Sequence, residues 1–134
     1  MKEIKIKDSN EIIYYEKLPC GLDIYMYPSK NVKNFNIELM TKYGAKMTEF
    51  KRKNEKEYHK TPNGVAHFLE HITFHLDGID ADELFSPYGA YINAFTNYER
   101  TAYIVENNSN FNKCLDNLLY YVYTPYYTDE TVKN

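Results

Sequence analysis

The stretch Gly64-Val65-Ala66-His67-Phe68-Leu69-Glu70-His71-Ile72-Thr73-Phe74-His75 follows Thr61-Pro62-Asn63 and precedes Asp77-Gly78. Turn-forming residues therefore bracket a run in which Val65, Phe68, Leu69 and Ile72 recur at helical spacing, and the spacing predicts a helix over about 64–76. In a helix, positions i and i+4 lie one above the other, so His67 and His71 share a face, with Glu70 on the same side. Two imidazoles stacked in this way can aim at one point about 2 Å from each ring nitrogen, which is what zinc requires. Glu70 is placed to act as general base toward a water polarised by such an ion. The competing reading is an exposed helix face that merely carries polar side chains, and the glutamate inside an otherwise apolar HFLEH stripe weighs against it. The pattern H-x-x-E-H is the inverse of the H-E-x-x-H zinc signature.

His75 continues the four-residue series and is the nearest candidate for a third ligand. At 1.5 Å per residue, however, His67 and His75 stand about 12 Å apart along a helix axis and their bearings differ by about 80°. His75 is therefore expected to line the neighbourhood of the site, or to sit at the helix end where the dipole favours it.

Outward from this helix, Asp80 with Glu83 three positions later is the N-cap pair of a second helix, over about 80–88, which Pro87 and Gly89 end. Two strand-like runs follow, Ala90–Thr96 and Arg100–Val105, with Asn97-Tyr98-Glu99 between them, so a hairpin is expected over about 90–106. Phe111, Cys114, Leu115, Leu118, Leu119 and Val122 then mark one face of an amphipathic helix over about 110–124, which Pro125 terminates. Thr128 at a cap position, with Asp129 and Glu130 behind it, opens a last helix that reads as cut inside the element.

Upstream, residues 45–63 are charged and aperiodic and read as a surface loop. Before them the pattern alternates in three runs within about 2–43: Ile12–Leu18 and Leu22–Tyr27, joined by Pro19-Cys20-Gly21 as an antiparallel pair, and Phe35–Lys42. Fifteen tyrosines against seven phenylalanines and no tryptophan also favour pleated, half-buried surfaces.

At 134 residues the chain suits one ordinary domain with its own core. A net charge of −3 offers no basic field for nucleic acid. The amino terminus lacks an export signal, and no run approaches the roughly 20 apolar residues that span a bilayer, so a cytoplasmic, membrane-free protein is expected. Cys20 and Cys114 are read as reduced thiols.

The order of these motifs resembles the insulinase/pitrilysin family of zinc metallopeptidases. GVAHFLEHITFH is followed by the capped acidic helix, by Gly89-Ala90-Tyr91-Ile92-Asn93-Ala94-Phe95-Thr96, by Glu99-Arg100-Thr101-Ala102-Tyr103, and by Leu118-Leu119 leading to Thr124-Pro125-Tyr126-Tyr127-Thr128. The resemblance covers most of the chain, more loosely before residue 60. It implies an α+β fold, an antiparallel sheet flanked by helices. It also implies zinc held by His67 and His71 with Glu70 as base, and a peptide seated on an edge strand through Asn93, Ala94 and Phe95. In the family a glutamate on a later helix completes the metal site, and that position would fall beyond Asn134. The chain is accordingly expected to be the first, active-site domain of a longer zinc metalloendopeptidase, truncated and inactive alone. The partners implied are a peptide substrate and the remaining domains or a partner subunit. A non-catalytic peptide-binding or assembly module related to the peptidases is the alternative.

Overall fold

The computed structural model describes residues 1–133, in two compact units, Met1–Lys33 and a second beginning at Asn34. The first is a three-stranded antiparallel meander, β1 (Lys2–Lys5), β2 (Ile12–Lys17) and β3 (Asp23–Met26), in the order β1-β2-β3. The expected turn at Pro19-Cys20-Gly21 joins β2 to β3: the Gly21 N–H donates to the Leu18 carbonyl at 2.9 Å, and Gly21 takes φ 97°, a value other residues adopt only with strain. Across this pair the Tyr15 phenol donates to the Asp23 carboxylate at 2.7 Å and its ring lies 5.0 Å from that of Tyr25.

The second unit contains β4 (Phe35–Thr41), β5 (Glu49–Phe50), β6 (His59–Lys60), α1 (Val65–Thr73), α2 (Ala81–Phe85), a 3-10 turn (Ser86–Tyr88), β7 (Tyr91–Thr96), β8 (Thr101–Asn107), α3 (Phe111–Tyr123) and α4 (Asp129–Lys133). Its main sheet is antiparallel, in the order β4-β8-β7. The architecture is thus α+β with antiparallel sheets and helices, as expected, although the strand runs before residue 43 divide between two sheets. β4 alternates by design of its sequence: Phe35, Ile37 and Leu39 are half-buried, while Asn36, Glu38 and Met40 point to solvent. β8, central in the sheet, is the most buried strand.

The core lies between this sheet and the helices. Tyr103 and Val105 of β8, Leu76, Ala81 and Phe85 around α2, and Cys114, Leu118 and Tyr121 of α3 form one buried cluster. The face of α3 is centred differently from the sequence reading: Cys114 and Leu118 are fully buried, but Phe111 is 48% exposed and Tyr121, outside the expected stripe, is fully buried. Tyr121 meets Phe85 edge-on at 5.9 Å, Tyr103 edge-on at 5.8 Å and Phe74 at 5.8 Å. Its phenol has no hydrogen-bond partner among the described residues, and burial, with Tyr103 and Glu70 nearby, holds its pKa well above the ordinary 10.0.

Three boundaries differ from expectation for identifiable reasons. α1 ends at Thr73 because the N–H groups of Phe74 and His75 turn to the carbonyls of His71 and Ile72, tightening the last turn. The helix expected over 80–88 is α2 followed by the 3-10 turn at Pro87, and its cap forms as expected, with the Glu83 carboxylate accepting the Asp80 N–H at 3.2 Å. Residues 45–63 are not wholly loop: β5 and β6 pair with Glu49 opposite Lys60 and Phe50 opposite His59. Here an ion pair of 2.9 Å and rings stacked at 5.5 Å stabilise two-residue strands that are too short to show a period.

Gly44 holds the β7–β8 hairpin close to the end of β4. The N–H groups of Ala45 and Lys46 donate to the carbonyls of Asn97 and Tyr98 at 2.9 and 3.0 Å. A Cβ at Gly44 would lie 2.6 Å from the Asn97 carbonyl oxygen and closer still to the Arg100 nitrogen, both backbone atoms unable to swing aside. Gly44→Ala is therefore expected to destabilise the protein by roughly 2–3 kcal/mol, read as a lowered urea midpoint at unchanged m-value. An unshifted midpoint would mean that the hairpin yields more easily than its bonds imply.

Candidate metal centre

α1 starts where Gly64 takes φ 88°, in the left-handed region, and its carbonyl accepts the Phe68 N–H at 2.9 Å. From that start the side chains fall by rotation. Ala66, Glu70, Ile72 and Thr73 are buried, and His67 and His71 are exposed. The two Nε2 atoms stand 3.0 Å apart, with rings 4.6 Å between centroids and tilted by 57°. Nitrogens at about 2.05 Å from a tetrahedral zinc are separated by roughly 3.3 Å, so the pair converges almost as two ligands of one ion do. The donor set fits a borderline metal such as zinc in two of its positions. No third histidine, cysteine, aspartate or glutamate among the described residues joins the pair in a cluster able to hold an ion.

Glu70 is 7% exposed, a low value for a carboxylate. Its Oε2 accepts the Thr96 hydroxyl at 2.7 Å. Thr96 Oγ1 lies 3.1 Å from Thr101 Oγ1, and the Thr101 hydroxyl donates to the Tyr43 carbonyl at 2.9 Å. Behind the next turn of α1, the buried Thr73 hydroxyl donates to the Leu69 carbonyl at 2.6 Å, with the Tyr103 and Tyr127 phenols 3.4 and 3.3 Å away. Burial, the largest influence, raises the Tyr103 phenol above its ordinary 10.0.

His75 does not join the pair. It has left the helix, and its Nδ1 contacts the Asp80 carboxylate at 2.7 Å, beside a shallow cavity that it lines with Leu76, Gly78, Ile79, Glu83 and Thr131.

The segment Asn93-Ala94-Phe95 lies on β7, which has β8 on one side and, among the described residues, no strand on the other. The hairpin bond from the Asn97 N–H to the Arg100 carbonyl, 2.9 Å, sets the phase of the ladder. Hydrogen-bonded and non-bonded pairs alternate from there, so the N–H and C=O groups of Ile92, Ala94 and Thr96 point away from β8 to the open edge. The N–H of Ala94 is already engaged by the Asn93 side-chain oxygen at 2.9 Å. α1 packs against this strand.

Residues 55–134 match the profile of the insulinase family, peptidase family M16. The chain belongs to that family. As an insulinase-family chain it is 38% identical over 133 residues to the zinc protease YmfH of Bacillus subtilis, itself uncharacterised; the match takes in 99% of this chain and 31% of that protein. It is likewise similar to the crystal structure of an M16-like peptidase from Alicyclobacillus acidocaldarius, at TM-score 0.85 and 28% identity, covering 94% of this chain and 29% of that one. A protease from Helicobacter pylori shares the fold, at TM-score 0.70 and 21% identity over 89% of this chain. The chain thus spans about a third of the length of the insulinase-family relatives it matches. Thr96, Thr101 and the Tyr43 carbonyl were invisible to sequence reasoning, because threonines in strands are ordinary β-formers and nothing local ties position 96 to position 70.

Proposed function

We propose that this chain carries part of the active site of a zinc metalloendopeptidase, with His67 and His71 holding the metal and Glu70 as general base. The observation that supports this best is the convergence of two Nε2 atoms at 3.0 Å on the helix that also buries Glu70. A divalent ion bound there supplies a Lewis acid that polarises the scissile carbonyl and makes water nucleophilic near neutral pH. Glu70 takes the proton of the attacking water at Oε1, since Oε2 is held by Thr96, and delivers it to the leaving amine. An extended peptide adds to the open edge of β7, with Ile92, Ala94 and Thr96 offering backbone groups and Asn93, Ala94 and Phe95 lining the strand. On binding, the bond from the Ala94 N–H to Asn93 is exchanged for one to the peptide. The remaining metal ligand, a carboxylate beyond residue 134, and the walls that enclose the peptide come from the rest of a longer protein or from a partner subunit, and the enzyme works in the cytoplasm.

Two protein ligands are one fewer than catalytic zinc sites use. The 134-residue chain alone is therefore expected to bind zinc with Kd on the order of micromolar or weaker, whereas the full protein binds it tightly and loses peptidase activity on chelation. Calorimetry showing a nanomolar one-to-one site in the short chain would overturn this division of ligands. Full protein that binds no metal and cleaves no peptide would leave the non-catalytic module as the reading.

A further inference from the structure

We propose that Thr96 is a positioning residue for the reaction: its hydroxyl, packed beside that of Thr101, fixes the Glu70 carboxylate so that one oxygen stays free for the water. This rests on the reading of Glu70 as the base. A glutamate on a helix has three side-chain torsions, and an unrestrained Glu70 could turn toward the histidine pair and become a ligand instead. The 2.7 Å bond from Thr96 to Oε2 removes that freedom, and among the described residues Oε1 has no hydrogen-bond partner.

The brace is built from the sheet. Thr96 and Thr101 are directly opposite in the β7–β8 register, at a non-hydrogen-bonded pair, where facing side chains come closest. Thr101 is 2% exposed, and the Tyr43 carbonyl, which can only accept, takes its single proton at 2.9 Å. That leaves the Thr96 proton as the one available to Glu70. The β-branch of threonine also restricts χ1, so the hydroxyl reaches Glu70 without sampling other wells. The β7–β8 hairpin and position 43, distant in sequence from the helix, thereby set the hydroxyl that meets one carboxylate oxygen.

The test is steady-state kinetics of the full protein carrying Thr96→Val, which keeps the shape and removes the donor, and Thr96→Ser, which keeps the donor. Thr96→Val is expected to lower kcat about 10–100-fold, as loss of an orienting partner does, with KM and zinc content unchanged. Thr96→Ser is expected to restore most of the lost kcat. A crystal structure of each variant is expected to show the carboxylate displaced in the valine protein and in place in the serine protein. Wild-type kcat in Thr96→Val, a change confined to KM, or equal loss in both variants would overturn the proposal. Thr96→Ala, judged by the same kcat and KM outcomes, takes the place of Thr96→Val should that variant fail to fold. If Glu70→Gln itself retains activity, the assignment of the base fails; if Glu70→Gln is inactive while Thr96→Val is normal, only the positioning role does.

Discussion

Glu70→Gln in the full protein is expected to lower kcat by about 10²–10⁴-fold, the usual worth of a positioned general base, while zinc stoichiometry and thermal midpoint stay as they are. The substitution is nearly isosteric. The side chain that replaces a carboxylate 7% exposed fills the same space, and its amide oxygen still accepts from the Thr96 hydroxyl. What disappears is the basic oxygen on the other side. His67 and His71 keep their rings 4.6 Å apart, so the metal binding proposed for them is expected to be untouched. Kinetics and metal analysis on one preparation check this directly, and retention of more than a tenth of the activity would remove Glu70 from the role of base.

Phe85→Ala is expected to cost about 3–5 kcal/mol of folding stability, the range for truncating a fully buried aromatic. Phe85 is 1% exposed and meets Tyr121 edge-on at 5.9 Å. It also secures α2, a helix of five residues that has too few hydrogen bonds to hold itself. The cavity would open beside Tyr121, whose ring also supports Phe74 just past the end of α1 and Tyr103 below Thr73. Equilibrium urea denaturation measures the loss, and a change below about 1 kcal/mol would show that the cluster repacks around the missing ring.

Much of this was legible in the order of residues. A helical face recurs at fixed offsets, so His67 and His71 could be assigned to one surface from spacing alone, and the 3.0 Å separation of the imidazole nitrogens agrees with it. The turn at Gly21, the cap between Asp80 and Glu83, the cap at Thr128, whose hydroxyl accepts the Thr131 N–H at 3.1 Å, and the β7–β8 hairpin are also local. Each depends on residues within a few positions of one another, and their side-chain chemistry selects the backbone there.

Other features follow no local rule. Phe35–Thr41 has the alternation of a strand, but its partner is β8, which starts sixty positions later, and alternation says which face is buried without saying against what. Tyr121 looked peripheral on the wheel of α3 and is fully buried, because the face that α3 turns to the core is centred on Cys114, Leu118 and Tyr121. His75 kept the four-residue rhythm yet belongs to Asp80, since α1 ends two residues before it. The side-by-side placing of His67 and His71 could therefore be read from a twelve-residue string, because helix geometry converts spacing into direction. The hydroxyl that holds Glu70 could not, because Thr96 arrives through strand register and Thr101 beside it is set by the close approach of residues 43 and 44 to the hairpin, and both exist only once the chain has closed on itself.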